Sequence, residues 1–465
     1  MSQDNGFIHP YVPNAAPVPR GRLLKEIGVE NVADLYVSVP QELQVKGLLN
    51  LPDALPSEHD LRSHVEAIIG KNLSCRDHLN FCGAGCWQHY VPAICDEITG
   101  RGEFLTAYGG GTYSDHGKNQ AMFEFQSLIG ELVGLEVVGT PSYDMGAAVN
   151  SAVTMACRIT GRRGVLLSGA VSGDMRSQIN GFTKMVADID MIALHGASGL
   201  IDLDDLKSKL TSDIGAVYFE NPSYLGLIES RGAEIAEIVH AAGALLVVGV
   251  DPLSLGVLAA PGDYGADIVC GQIQPLGIHM YGGGGCGGFI ASRDEERFVS
   301  EYPMILMSIA PGAEEGDFGF AWSTMQRTSY DKRHDSEDYA GTTQWLWGIG
   351  AAVYLSLMGP RGMEDLGNGI LQRTRYAAER INGLKGIRVA HLDCAFFKEF
   401  VIDFTDSGKS VAEINAALLA EGIFGGKDLS SEFPEYGQSA LYCVTEIHGK
   451  EEIDRLVDSL AEVLS

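Results

Sequence analysis

The sequence predicts a doubly wound α/β domain followed by a smaller α+β domain. Two patterns carry this. Between about residues 120 and 270, short apolar runs alternate with helix-periodic segments. The runs are continuous and not polar-alternating, Ala244–Val250 being the purest, as in strands buried on both faces of a parallel sheet. Beyond Arg327 the order changes to long helical segments, short strands and an amphipathic closing helix.

In order, Arg22–Val29 reads as a short helix, Val32–Tyr36 as the start of another, and Ser57–Gly70 as a helix that Ser57 caps. Helical patterns follow at Gln120–Gly134, Gly146–Thr160, Gly181–Asp190, Leu203–Thr211 and Ala233–Ala242. Strand patterns lie at Gly164–Ser168, Met191–Leu194, Ala216–Phe219, Ala244–Val250 and Ala266–Cys270. The C-terminal part reads as helices at Thr342–Leu357, Gln372–Leu384, Val411–Glu421 and Lys450–Leu464. Strands near Arg388–Val389, Glu399–Phe404 and Leu441–Val444 complete it. The expected division is an N-terminal helical arm over 1–100, a large α/β domain over 101–326 and a small α+β domain over 327–465.

The 465 residues carry a formal charge of −28, which argues against nucleic acid and anionic membrane as partners. No run approaches the roughly 20 apolar residues of a membrane helix, and Met1–Pro19 is polar and Pro-rich without an apolar leader core. Nine cysteines occur without a CxxC pair, as expected of thiols in a reducing compartment, and the overall expectation is a cytoplasmic protein without a metal site.

A large α/β domain followed by a small α+β domain resembles the layout of fold-type I, aspartate aminotransferase-like, PLP-dependent enzymes. In that fold an Asp at a strand end pairs with the cofactor's pyridine nitrogen, and a Lys further on forms the Schiff base. Asp251 ends the Ala244–Val250 run and is the candidate for the first role; equally, it reads as a turn former before Pro252. For the second role there is no candidate, because no lysine occurs between Lys209 and Lys332.

Longer motifs narrow the resemblance. LLKEIGVEN (Leu23–Asn31), HYVPAICDEITGRGEFLTAY (His89–Tyr108), AMFEFQSLIGELVG (Ala121–Gly134) and Glu234–Gln274 are similar to the alpha subunit of two-subunit glycine dehydrogenase (decarboxylating), the P-protein of the glycine cleavage system. FFKEFVIDF (Phe396–Phe404), EGIFGGKDL (Glu421–Leu429) and LYCVTEIHGKEEID (Leu441–Asp454) continue it over nearly the whole chain. The resemblance implies a subunit without a catalytic residue of its own. Within PGDYGADIVCGQIQP it puts Pro275 where the beta subunit has its lysine. It implies a PLP-bearing beta subunit as partner, a small amino acid substrate, and transfer of an aminomethyl group to the lipoyl group of a carrier protein.

Three segments depart from the family pattern. Ala107–Lys118 reads AYGGGTYSDHGK in place of AYTPYQPEISQG, either a reshaped substrate or carrier approach or a drifted surface loop. Arg327–Gln344 keeps Arg327, Arg333, Thr342 and Gln344 but gains Asp335, Asp338 and Tyr339, which at a site mouth would disfavour an anionic group. Ile278–Phe289 is unusually rich in glycine and reads as a tight hairpin. These segments contribute Tyr108, Tyr113, His116, His279, Arg327 and Gln344 as substrate or interface candidates. Tyr143 and Asp144 join them, with capping of the helix near Gly146 as the plainer role for Asp144. His89 is a further acid–base candidate. Two other functions stay open: a paralogous complex acting on another small amino acid or amine, and a noncatalytic binding or regulatory subunit.

Overall fold

The computed structural model describes residues 11–12, 15–46, 50–105, 116–281, 287–323, 328–336, 338–341 and 343–465. Its contacts separate two units, Met1–Leu73 and Ser74–Ser465. Residues 74–100, assigned above to the arm, belong to the second unit.

In the first unit a helix at Pro17–Ile27 starts earlier than expected, with proline in its first turn, where a missing N–H costs nothing. Val32–Tyr36 forms a 3₁₀ turn, and Glu58–Ile69 a helix. Ser57 caps that helix as expected, its Oγ accepting from Asp60 N at 3.3 Å.

The second unit is built on a seven-stranded sheet: β1 (Val137–Val138), β2 (Gly164–Ser168), β3 (Asp188–Ile192), β4 (Ile214–Glu220), β5 (Leu245–Val250), β6 (Ile268–Gln272) and β7 (Gly288–Ser292). Its order is β1-β7-β6-β5-β4-β2-β3. The five strands β2 to β6 run parallel; β7 is antiparallel to both β6 and β1, so the sheet is mixed at one edge. Along β5, Leu246, Val248 and Val250 face one core and Leu245 and Val247 the other, which is why its sequence is continuously apolar.

The sequence misplaced one stretch. The helix expected over Gly181–Asp190 lies at Gly173–Thr183, capped by Ser172, whose Oγ accepts from Met175 N at 3.0 Å. Asp188–Ile192, not Met191–Leu194, is the strand. It is the sheet edge, and Asp188 and Asp190 point to solvent, so its polar alternation hid it from a search for apolar runs.

Trp345–Asn382 is two helices, as expected, joined across a kink at Gly359 (φ 59°, ψ −178°) just before Pro360, so the second begins well before the expected Gln372. The C-terminal half of the unit carries a four-stranded antiparallel sheet: β8 (Arg388–Val389), β9 (Glu399–Asp403), β10 (Lys427–Asp428) and β11 (Ser439–Cys443) in the order β8-β9-β11-β10. Leu79–Asn80 pairs in parallel with Ile423–Phe424. Phe81 and residues 88–90 bond to the C-terminal half, at Cys443, Thr445 and Glu446, while Gly85 and Trp87 between them reach the end of the large sheet.

Candidate functional site

A cavity of about 370 Å³ opens beyond the carboxyl ends of β4, β5 and β6, where ligands of open α/β sheets bind. Its walls include Glu220 at the end of β4, Asp251 just past β5 and Gln272 at the end of β6. The N-terminus of the Met145–Thr160 helix, the loop 84–87 and Phe397–Glu399 close the other sides.

The loop is held from both domains. Gln272 Nε2 donates to Gly85 O at 2.8 Å. Gln274 exchanges a reciprocal pair with Trp87: its Oε1 accepts from Trp87 N at 3.2 Å and its Nε2 donates to Trp87 O at 3.1 Å. From the small domain, Glu399 Oε1 accepts from Ala84 N at 2.6 Å. Gly83 permits this approach, since a Cβ there would lie 2.3 Å from Glu399 Oε1.

Lys398 reaches into the cavity from the small domain. Its Nζ lies 2.7 Å from Asp251 Oδ2, and both side chains are more than 90% buried. The ammonium also stands 3.4 Å from the centre of the Trp87 ring, a cation–π contact shielded from water. It is 3.2 Å from His89 Nε2, and His89 Nδ1 is 2.8 Å from Glu446 Oε2. An ammonium has only protons to offer, so Nε2 accepts and Nδ1–H donates to Glu446. Burial and the Lys398 charge both push the His89 pKa down, which keeps the ring in that neutral form. Burial opposes ionisation of Glu446, but the His89 bond and the Tyr90 and Glu446 N–H groups hold it down to about 2.

Glu220 and Glu399 shift the opposite way from Glu446. Burial pushes Glu220 up to about 7, only partly offset by the Tyr218 hydroxyl at 3.0 Å. Burial likewise pushes Glu399 up to about 7 against the Ala84 N–H and the nearby Lys398 charge.

Of the residues singled out from sequence, Asp144 and Asp251 meet at this cavity. Asp144 caps the Met145–Thr160 helix, Oδ1 accepting from Ala147 N at 2.7 Å. Asp251 fills both roles read for it: Oδ1 accepts from Leu253 N at 3.2 Å in the turn, while Oδ2 takes Lys398. Pro275 is buried, immediately after the Gln272–Gln274 staple. Tyr143 is half exposed and absent from the cavity wall. His279 pairs with Asp96 at 3.0 Å on the surface. Gln344 precedes the Trp345–Asn382 helix, its N–H on Pro141 O at 3.0 Å. Tyr108, Tyr113, Arg327, the side chain of His116 and the centre of the glycine-rich run lie outside the described residues. Asp338, expected at the site mouth, instead lines a separate cavity with Arg158, Arg162 and Arg163.

Sequence reasoning missed Lys398, Trp87, Glu220 and Glu399. One signal was present: in FFKEFV two adjacent charges interrupt an apolar strand, and charges in such a strand must find partners when buried.

These residues do not fit PLP. The turn after β6 carries Pro275 and no lysine. The carboxylate that would meet a pyridinium is matched by Lys398. The helix N-terminus that would meet a phosphate is capped by Asp144, with Asp174 and Glu220 also on the wall.

The Glycine cleavage system P-protein family model matches residues 11–460. "Probable glycine dehydrogenase (decarboxylating) subunit 1" of Staphylothermus marinus is 34% identical, covering 98% of each chain. The protein of the same name from Pyrococcus furiosus is 36% identical over 98% of this chain and 99% of its own. The crystal structure of a glycine decarboxylase (P-protein) in inhibitor-bound form superposes with a TM-score of 0.84 at 31% identity, covering 98% of this chain and all of the other. A sphingosine-1-phosphate lyase from Burkholderia pseudomallei (TM-score 0.64, 13% identity, covering 92% of this chain and 94% of its own) shares the fold, which is that of fold-type I PLP-dependent enzymes. A cavity at the carboxyl ends of the large sheet's strands, with Asp251 just past β5, agrees with these likenesses: the chain belongs to the glycine cleavage system P-protein family.

Proposed function

We propose that this chain is the lysine-less subunit of a two-subunit glycine dehydrogenase (decarboxylating), active only with a second, PLP-bearing subunit. The observation that carries this is the end-to-end match to relatives named subunit 1, combined with Pro275 where the Schiff-base amine is expected. In the joint reaction glycine loses its carboxylate and the aminomethyl group passes to a lipoyl carrier protein. This chain's part is structural and steric. The amine on its own cavity wall, Lys398, is ion-paired with Asp251, and that pair together with the Gln272–Gln274 staple fixes the 84–87 loop against both domains. No described helix is long and apolar enough to cross a membrane, and the cytoplasm is the proposed location.

Co-expression with a lysine-bearing P-protein subunit tests this. The expected result is a co-purifying complex that releases labelled carbon dioxide from carboxyl-labelled glycine in the presence of lipoyl carrier, with neither subunit active alone. Release by this chain alone, or by its partner alone at the full rate, would remove the proposal. A complex that assembles yet prefers another small amino acid would favour the paralogous reading, which the position of Asp338 away from the cavity weakens.

A further inference from the structure

We infer that the cavity beyond the large sheet is a cofactor seat closed from within, Lys398 standing in for a pyridinium and Asp144 for a phosphate. The inference deepens the proposed division of labour, because it names what keeps PLP out of this subunit beyond the loss of one lysine.

Both ends of the seat are occupied by the chain's own groups. At the base, Oδ1 of Asp251 accepts from Leu253 N at 3.2 Å, and Oδ2, which has no aligned hydrogen bond, is ion-paired with Lys398 Nζ at 2.7 Å. A pyridinium could reach Oδ2 only by expelling an ammonium that would then lie buried without its counter-charge. That ammonium is also held by the Trp87 ring and His89, so its departure would free the loop and the His89–Glu446 pair together. At the helix end, Asp144 already takes the Ala147 N–H at 2.7 Å. A phosphate dianion there would face Asp144 and Asp174. Among the described residues the one cation on the cavity wall, Lys398, is neutralised by Asp251. About 370 Å³ of space remains, so charge and not volume excludes the cofactor.

The test uses the full-length chain purified without a partner. It is titrated with PLP, read by tryptophan fluorescence quenching and visible absorbance, then reduced with borohydride and mapped by peptide mass. For the natural sequence the expected outcome is no saturable binding at micromolar PLP, with surface lysines labelled and Lys398 unlabelled. The double variant Lys398→Ala, Asp144→Ser, which keeps a capping side chain, is expected to bind PLP at least tenfold more tightly. Saturable binding to the natural chain, or labelling of Lys398 ahead of surface lysines, would overturn the inference. So would a double variant that folds, judged by circular dichroism, yet binds no more tightly. If that variant does not fold, the labelling pattern of the natural chain decides. Failure of the partner to assemble would count against the proposed function and leave this result standing.

Discussion

Lys398 and Asp251 form a buried ion pair, Nζ to Oδ2 at 2.7 Å, that joins the small domain to the end of a central strand of the large sheet. A pair this deep contributes little net stability when intact, but breaking one side strands the other charge. Lys398→Met and Asp251→Asn are each expected to cost about 3–5 kcal/mol. The double variant should cost clearly less than the sum. A double-mutant cycle by urea unfolding checks this, and additive losses would show the pair to be uncoupled.

The two buried carboxylates set a pH dependence of stability. Glu220 and Glu399 sit at about 7 in the folded chain against an ordinary value of 4.5. Between those values the folded state holds more protons than the unfolded one, so stability falls as pH rises. Their contribution is most favourable below about pH 4.5 and lost as pH passes through 7. Glu220→Gln and Glu399→Gln retain an acceptor oxygen for Tyr218 and Ala84. Each should flatten the decline between pH 5 and 8 and raise stability at pH 8, on the order of 1–3 kcal/mol. Thermal unfolding across that range measures it. An unchanged pH profile would contradict the assignment.

Gly83→Ala tests the close approach of the loop to the small domain. The new Cβ would fall 2.3 Å from Glu399 Oε1 and 2.7 Å from Cys443 Cβ. About 1–3 kcal/mol of destabilisation is expected, as for overpacked cores. Faster amide exchange at Ala84 and Trp87 should accompany it. Exchange unchanged at those two amides would show that the loop does not depend on the contact.

Asp144→Ala removes the cap of the Met145–Thr160 helix. A loss of about 1 kcal/mol is expected, with Asp144→Ser close to neutral. Urea unfolding of the three chains compares them.

How far this was readable beforehand depended on the range of the interactions. β2, β4, β5 and β6 were legible because burial on both faces forces unbroken apolar runs, and Asp144 because its cap lies three residues away. The edge strand Asp188–Ile192 was not, since Asp188 and Asp190 face water. The site was legible only in part: Asp251 ends a readable strand, but its partner lies 147 positions further along, in another sheet. Nothing local distinguishes Lys398 from a surface lysine except the aromatic residues around it. Gln274 and Trp87 likewise meet only through the fold.

The bend at Gly359 has a mechanical side. Ahead of it the first helix packs Ala351, Ala352, Tyr354 and Leu355 into the large core; towards its far end the second packs Ala377, Ala378 and Ile381 into the small one. The two helices thus act as levers meeting at a fulcrum, and φ 59° with ψ −178° is a setting only glycine tolerates. Any side chain at that fulcrum would swing the far lever, and the displacement would be felt some forty residues downstream, at the tether between the sheets.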